Sequence, residues 1–351
     1  MPSLLSTLPY SDHVFKTEIG PTPVSVRIWP TSNVSLGKPA PFFFWVHGGA
    51  WIVGSHRLPR PWAVEAFVKA GYHFVSCEYR LIPEVELKDI LQDLLDGLEW
   101  CKTELPGIVG ADKVDVTRFV IGGESAGGTN ATMLGHLASP PPLAVLDVYG
   151  LVDFRVFPQS PAAVASSLPP ITTDLFTEAQ VADALANRDL SETLTEVLDD
   201  WVNKDPPNFR HDRYGEHPRP MFGKRQKLRR AAHDYMMSHA MLKPTLFHID
   251  DLNKQAAEYE KKKREMSALA LLDDAKTYPP TYVYHGTADK DVPVGQSDAF
   301  VAKLKEKGVA VEYKQIPGGA HVCDKYEDEN SEEWKEHVLP IVAFIDKHVK
   351  F

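Results

Sequence analysis

Apolar residues in the first 150 positions form short runs that alternate with segments of helical spacing. Phe42–Val46 is an uninterrupted apolar run, the pattern of a strand that is covered on both faces. A helix is predicted over Trp62–Ala70, with Gly71 ending it, and His73–Cys77 is the next strand. Pro83–Trp100 carries leucine and isoleucine at three- and four-residue intervals, which predicts an amphipathic helix.

The same alternation extends to both sides of this region. His13–Ile19 and Val24–Trp29 predict an opening hairpin, with the Gly20-Pro21 pair at its turn, and Leu143–Val148 predicts another buried strand. Strands separated by helices imply a mostly parallel sheet with helices on both faces. The predicted fold class is therefore α/β.

The pattern changes after about residue 154. Residues 158–173 are rich in Pro, Ser and Thr, and helical patterns follow without strands between them, with capping boxes that begin at Thr177 and Asp189. Strands and helices alternate again from Thr281 to Val349. We predict a core of residues 1–154 and 278–351 that is interrupted by a helical cap at 155–277.

Two charged stretches lie in the predicted cap, at Lys224–Arg230 and Glu258–Glu265. Both are interpreted as solvated helix faces, with binding of phosphate or an acidic partner as the alternative.

Composition narrows the classes of function. The chain has 351 residues, 43% of them hydrophobic, and a net charge of −10, which disfavours nucleic acid or an anionic membrane as a partner. The sequence shows no secretory leader and no apolar run of about 20 residues. Cys77, Cys101 and Cys323 are scattered, so neither a disulfide framework nor a metal site is expected. We expect a reduced, cytoplasmic protein; its oligomeric state is left open, a homodimer included.

The most informative motif is Gly123-Glu-Ser-Ala-Gly127, which fits G-x-S-x-G. The apolar run Arg118–Ile121 precedes it, and a helical pattern starts at Ala126. This context predicts a sharp strand-to-helix turn that presents the hydroxyl of Ser125 as a nucleophile.

A serine nucleophile needs a base, and the base needs an orienting acid. Asp289 follows the predicted strand Thr281–Tyr284, and His321 follows the glycine-rich turn after the next strand. The order Ser125, Asp289, His321 is that of a known catalytic triad. Parallel strands bring such residues to one sheet edge.

Neighbouring polar residues offer alternatives to these assignments. Asp291 is the rival acid, but Asp289 lies nearer the strand end. His285 is expected to pack within its own strand. Asp324 and Glu327 begin an acidic run beside His321 and are interpreted as surface charges.

The segment His47-Gly-Gly-Ala-Trp51 directly follows the first buried strand and can expose successive backbone amides. Such amides stabilise the negative charge that forms on a carbonyl oxygen under attack. We assign the oxyanion hole to the N–H groups of Gly49, Ala50 and Ala126, with Gly48 giving clearance. His47 is expected to brace this loop, and Trp51 is either core or substrate-pocket wall, with the pocket preferred.

Together these motifs resemble those of the hormone-sensitive-lipase-like esterases of the α/β-hydrolase superfamily. The His47 segment is similar to that group's His-Gly-Gly-Gly motif, and the Ser125 segment to its Gly-Asp-Ser-Ala-Gly-Gly. Glu78-Tyr-Arg-Leu-Ile-Pro-Glu84 resembles its Asp-Tyr-Arg-Leu-Ala-Pro-Glu stretch. The resemblance covers residues 42–150 and 278–349.

This chain also departs from the group. Ala50 replaces a glycine, and Glu124, in a supporting position beside the serine, replaces an aspartate. The N-terminal region is short and the predicted cap is long, so the cap would form most of the pocket wall.

The resemblance implies a serine hydrolase that cleaves a carboxylic ester of a small molecule without a metal or organic cofactor. The alternatives are lactone, thioester, amide or peptide hydrolysis on the same triad. A third possibility is a catalytically silent binding protein of the same fold.

Overall fold

The computed structural model describes residues 8–17, 23–33, 38–157, 175–197, 224–326 and 328–350. Its strands are β1 Ser11–Lys16, β2 Val24–Trp29, β3 Ala40–Val46, β4 His73–Cys77, β5 Val114–Glu124, β6 Ala144–Val148, β7 Thr281–Gly286 and β8 Val311–Ile316. They form one eight-stranded sheet in the order β1-β2-β4-β3-β5-β6-β7-β8.

The sheet is parallel from β4 onward and antiparallel only at one edge. β1 pairs with β2 and β2 pairs with β4 in antiparallel register, and the other five pairs are parallel. This arrangement confirms the predicted fold class and the opening hairpin. The Gly20-Pro21 turn lies outside the described residues.

Ten α-helices are described. They are α1 Pro61–Lys69, α2 Leu87–Val109, α3 Ala126–Leu137, α4 Glu178–Ala186, α5 Lys224–Ser238, α6 Leu242–Leu246, α7 Ala256–Glu265, α8 Ala268–Leu271, α9 Gly295–Glu306 and α10 Leu339–Val349. A 3₁₀ turn spans Leu190–Glu192, and a π turn over Trp334–Val338 precedes α10.

The predicted helix over Pro83–Trp100 is displaced along the chain. α2 begins at Leu87, because Glu86 and Asp89 form a capping box there. It continues past Trp100 to Val109, with Leu105 buried on its core side.

Alternate side chains of β3 enter two separate apolar layers. Phe42, Phe44 and Val46 pack in the layer that holds residues of α2, α3 and α9. Phe43 and Trp45 pack in the layer that holds residues of α1 and α10. All five are fully buried, and such a side chain contributes about 1.5–3 kcal/mol of transfer free energy. Helices therefore cover both faces of the sheet.

The described residues between β6 and β7 contain α4 to α8 and no strand apart from one bridge, Gly54 to Val197. Thr177 caps α4 with the predicted capping box. Asp189 caps only the 3₁₀ turn, so the helix predicted there is wrong. The Pro-, Ser- and Thr-rich stretch lies outside the described residues. The division into core and cap stays a prediction.

The interpretation of Lys224–Arg230 as a solvated helix face is wrong for its last two residues. Arg229 and Arg230 are buried on α5, and the guanidinium of Arg229 pairs with the carboxylate of Glu84. A buried charge needs such a partner. On α7 most charged side chains are exposed, but Tyr259 and Lys263 are buried.

No described helix combines the length and the apolar character that crossing a bilayer requires.

Candidate active site

Ser125 lies at the tight turn between β5 and α3, with φ of +54°. The turn brings backbone segments so close that side chains do not fit beside it. A Cβ on Gly123 would lie 2.4 Å from the carbonyl oxygen of Gly127, and one on Gly127 would lie 2.1 Å from that of Val46. The two glycines of G-x-S-x-G are therefore required by close packing.

The structure brings the three predicted residues into one hydrogen-bonded chain. His321 Nε2 lies 2.9 Å from Ser125 Oγ, and His321 Nδ1 lies 2.7 Å from Asp289 Oδ2. Asp289 follows β7 and His321 follows β8, so neighbouring parallel strands deliver both residues to one sheet edge. This geometry suits proton transfer from the hydroxyl to Nε2, with Nδ1–H held by the carboxylate.

The surroundings of Asp289 favour its charged form. Its Oδ1 accepts the backbone N–H groups of Asp291 and Val292, each at 2.9 Å. Burial alone would raise the pKa of Asp289, but hydrogen bonds from His285 and His321 outweigh it and hold that pKa well below its usual range. Asp291 supplies a backbone donor to Asp289, and its carboxylate lies within 4.8 Å of side-chain atoms of Asp289 and His321.

His285 contributes more than packing. Its Nε2 lies 3.2 Å from Asp289 Oδ2 and 2.8 Å from the carbonyl oxygen of Val292, and Ser297 Oγ lies 2.7 Å from its Nδ1. An Nε2–H would donate to both oxygens while the Ser297 hydroxyl donates to Nδ1. Sequence reasoning missed this contact, although the four-residue spacing from His285 to Asp289 across a turn was available as a signal.

The residues that are predicted to form the oxyanion hole lie beside Ser125. A Cβ on Gly48 would lie 2.9 Å from the carbonyl oxygen of Glu124 and 3.2 Å from Ser125 Cβ. Gly49 has φ of +112°, and Ala50 has φ of +49°, a value that L residues rarely adopt. Ala126 is the first residue of α3, so its N–H belongs to the unpaired amides of a helix N-terminus. The role of these amides stays a prediction.

His47 has the surroundings of a structural residue. Its ring stacks on that of Tyr79 at 4.3 Å between centroids, and its Nδ1 lies 2.8 Å from the carbonyl oxygen of Gly48. Burial lowers the pKa of His47 to about 3, so the ring is neutral at physiological pH. These contacts support the predicted bracing of the loop.

Trp51 lies inside the protein. Its side chain is buried, and its indole N–H donates to Asn130 Oδ1 on α3 at 2.9 Å. This environment is that of a core residue, and the preferred assignment to the pocket wall stays a prediction.

Glu124 and Asp324 are both buried, and the interpretation of Asp324 as a surface charge is wrong. Burial raises the pKa of Glu124 to about 7, although Arg60 partly offsets this effect. Asp324 is enclosed because it accepts hydrogen bonds from Trp62 and Tyr149, which lie far from it along the chain. Glu327 lies outside the described residues.

Two groups of described residues have the spacing of metal ligands. The first, Asp289, Asp291 and His321, shares Asp289 and His321 with the hydrogen-bonded chain. The second is His56, Glu78 and Glu196, where His56 Nδ1 lies 3.0 Å from Glu78 Oε1. Arg57 Nε lies 3.4 Å from Glu196 Oε2, so one carboxylate of the second group already pairs with a cation. We assign neither group to a metal.

Comparisons with known proteins agree with this fold. A family model described as alpha/beta hydrolase fold matches residues 43–204, and one of the prolyl oligopeptidase family matches residues 231–351. Among solved structures, esterase B from Lactobacillus rhamnosis is similar over 97% of this chain and 86% of its own, with a TM-score of 0.60 and 15% identity. Carboxyl esterase 2 from Tuber melanosporum is similar over 98% and 89%, with a TM-score of 0.59 and 14% identity.

Curated relatives are much longer proteins. The non-reducing polyketide synthase adrD of Penicillium rubens is 27% identical over 98% of this chain, which spans 14% of the synthase. The 5-methylorsellinic acid synthase of Aspergillus terreus is 27% identical over 92% of this chain and 12% of its own length. From the sheet topology, the two family matches and the structural similarity, we conclude that this chain has the α/β-hydrolase fold.

Proposed function

We propose that this protein is a serine hydrolase that cleaves a carboxylic ester of a small organic molecule. The observation that carries the proposal is the chain of hydrogen bonds from Ser125 Oγ through His321 to Asp289, at 2.9 Å and 2.7 Å. A hydroxyl becomes nucleophilic when a base can take its proton during attack.

In the proposed reaction His321 Nε2 takes the Ser125 proton while Oγ bonds to the acyl carbon. The acyl oxygen gains negative charge, which the N–H groups of Gly49, Ala50 and Ala126 stabilise. Each preorganised donor of this type lowers the activation barrier by about 2.7–4 kcal/mol. Collapse breaks the ester C–O bond, and His321 returns the proton to the departing alcohol.

The second half of the reaction releases the acid. Water replaces the alcohol, gives a proton to His321 and attacks the acyl-enzyme. Cleavage of the Ser125 ester bond then returns the proton to Oγ. Asp289 keeps its charge throughout and stabilises the imidazolium that forms twice in the cycle.

A second candidate substrate is an acyl thioester. The likeness to polyketide synthases over 98% of this chain favours a polyketide-type acyl group, which such a site would transfer from sulfur to Ser125 and then to water. Lactone, amide or peptide hydrolysis would follow the same steps, and the match to the prolyl oligopeptidase family over residues 231–351 bears on the peptide alternative. A silent binding protein would not need the activated serine.

The helices between β6 and β7 follow the strand that adjoins β5, the strand of the nucleophile. We further propose that residues 155–277 form a cap over Ser125 and select the acyl group, because inserted segments at this edge form the walls of such sites.

The test is hydrolysis of p-nitrophenyl acetate and butyrate together with labelling by a fluorophosphonate probe. Ser125→Ala should abolish both signals. Asp289→Asn should lower kcat by about 10⁴-fold, as when the orienting acid of such a triad is replaced. The control Asp112→Asn makes the same change at an exposed carboxylate outside this chain of hydrogen bonds and should stay within about twofold.

Unchanged turnover in Ser125→Ala would refute the proposal. Oxygen esters compared with thioesters of the same acyl group would separate the two candidates by their kcat/KM values. Esters of graded chain length would then report how deep the acyl pocket is.

A further inference from the structure

A fully buried carboxylate lies three residues after His321. Asp324 Oδ1 accepts a hydrogen bond from the Tyr149 hydroxyl at 2.6 Å, and Oδ2 accepts one from the Trp62 indole N–H at 2.8 Å. The carboxylate thus joins the loop after β8 to α1 and to the end of β6. A buried polar group with two such partners holds its segment in one position.

Tyr149 carries this restraint to the imidazole. Its ring packs edge-on against the His321 ring, with 4.8 Å between centroids and 60° between planes. The Tyr149 N–H also donates to the carbonyl oxygen of Tyr284 at 2.7 Å, which anchors the residue beside β7. The ring is fully buried, so it has no room to swing away from the imidazole.

The backbone is strained at two residues beside the imidazole, Val322 and Tyr149. Val322 directly follows His321 and has φ of +61°, and Tyr149 has φ of +47°. This region is unfavourable for a β-branched side chain and uncommon for a tyrosine. Strain of this kind persists only where surrounding contacts impose it, and here the Asp324 carboxylate supplies contacts on both sides.

Arg60 extends the connection to the serine turn. Its Nε lies 3.4 Å from Asp324 Oδ2 and 3.7 Å from Glu124 Oε1, and Glu124 directly precedes Ser125. All three side chains are buried. One guanidinium therefore lies between the carboxylate of the histidine loop and that of the nucleophile turn.

We propose that Asp324 is a positioning residue that acts through Tyr149 to hold the His321 ring in line with Ser125, and that Arg60 ties this arrangement to the serine turn. The proposal rests on the proposed function, since it concerns the activation of the same serine. Asp324 itself touches none of the three reacting side chains; it determines where the imidazole lies.

The experiment compares Asp324→Asn and Tyr149→Phe with the wild-type protein. Asparagine places an NH2 group at one of the two oxygen positions, so either Tyr149 or Trp62 loses its acceptor there, and the loop should loosen. Tyr149→Phe keeps the ring and removes only the hydroxyl. The matched control is Tyr72→Phe, which removes another buried hydroxyl that donates to a carboxylate, Asp346, at 2.7 Å in the same apolar layer.

Activity is measured per active site, with sites counted by exhaustive fluorophosphonate labelling. We expect kcat to fall about 30-fold in Asp324→Asn and about fivefold in Tyr149→Phe, with KM within twofold, because displacement of a reacting group by an ångström costs up to about 100-fold. The rate constant for labelling should fall in parallel. Tyr72→Phe should lower the melting temperature by a similar amount and leave kcat per site unchanged.

Wild-type kcat and labelling rate in both site variants would overturn the proposal, as would an equal loss of kcat in Tyr72→Phe. If Asp324→Asn does not fold, Tyr149→Phe decides alone. The labelling rate separates this proposal from the ester assignment. Fast wild-type labelling without turnover of any ester refutes only the substrate, whereas absence of both signals refutes the activated serine and, with it, the positioning role.

Discussion

The pKa values of two buried carboxyl groups, Asp289 and Asp147, are shifted in opposite directions because the two groups accept different hydrogen bonds. Asp289 accepts two backbone N–H groups and contacts two imidazoles, and its pKa lies well below the usual range. Asp147 is the last residue but one of β6, and its carboxylate accepts the N–H of Gly150, at 2.8 Å. Its Oδ2 has no hydrogen-bond partner among the described residues. Burial raises the pKa of Asp147 to about 6.

The raised pKa predicts that the ionised Asp147 carboxylate lowers the free energy of unfolding by an amount that depends on pH. Below pH 4 the folded and unfolded chains both bind the proton. Between pH 4 and about 6 the unfolded chain releases it first, so stability falls as pH rises, and above pH 6 the full penalty remains. Asp147→Asn keeps the acceptor for Gly150 and has no charge to bury. It should be about 1–3 kcal/mol more stable than wild type at pH 8, and this gain should shrink toward pH 5.

Urea unfolding of both proteins at pH 5, 6.5 and 8 measures this difference. A gain that is the same at all three pH values would contradict the assigned titration and point to a packing effect of the amide instead.

At the residue scale, the sequence predicted the proximity of Ser125, Asp289 and His321, and the structure places their side chains within hydrogen-bonding distance. Their catalytic role stays a proposal. Ser125, Asp289 and His321 each follow a strand, and parallel pairing brings them together without knowledge of the helices. Asp324 could not be predicted in this way, because its burial depends on Trp62, which lies 262 residues away. A local charge pattern carries no information about such a partner.

At the scale of elements, α2 shows how one helix meets two different environments. Gly97 is buried against the sheet, and a Cβ there would lie 2.8 Å from Cys77 Sγ and 3.1 Å from Phe15 Cζ. Gly107 is exposed near the end of the same helix, and a Cβ there would meet no atom within 4 Å. The leucine spacing predicted this helix and its buried side. It did not predict the end of the helix, where Leu105 is buried and Gly110 is the C-cap residue.

The two glycines predict opposite effects of the same substitution. Gly107→Ala should stabilise the protein by about 0.5–1 kcal/mol, since alanine restricts the unfolded chain and fits the helix. Gly97→Ala should destabilise it by about 1–3 kcal/mol, because the added methyl group overpacks the layer between α2 and the sheet. Denaturant unfolding of the two variants gives both values, and each serves as the other's control. Destabilisation by Gly107→Ala would show that the end of α2 differs from the helix described.

At the scale of the whole molecule, basic side chains from the region between β6 and β7 hold one loop of the core. The loop is Ile82–Val85, which leads into α2. His248 Nε2 lies 2.8 Å from the carbonyl oxygen of Pro83, and Arg188 Nη1 donates to the same oxygen at 3.2 Å. Arg229 donates to the carbonyl oxygen of Ile82 at 2.6 Å and pairs with Glu84.

These contacts join the predicted cap to the core through charge rather than apolar area alone. The sequence indicated the helices of this region, but it presented Arg229 as one of several similar cations. Only the packed structure distinguishes it from Arg225, one turn earlier on α5, whose pair with Glu192 spans 4.0 Å at the surface.

The difference between Arg229 and Arg225 predicts which of the two ion pairs contributes more to the stability of the protein. Arg229→Met should destabilise the protein by about 3–5 kcal/mol, because it leaves the Glu84 carboxylate buried without its cation. The control Arg225→Met should cost less than about 1 kcal/mol, since an exposed pair contributes little. Combining Arg229→Met with Glu84→Gln removes the unpaired charge and should recover more than half of the loss. Urea unfolding of the wild type and these three variants measures the free energies of unfolding. A double variant no more stable than Arg229→Met alone would show that lost packing, rather than the unpaired buried charge, causes the destabilisation.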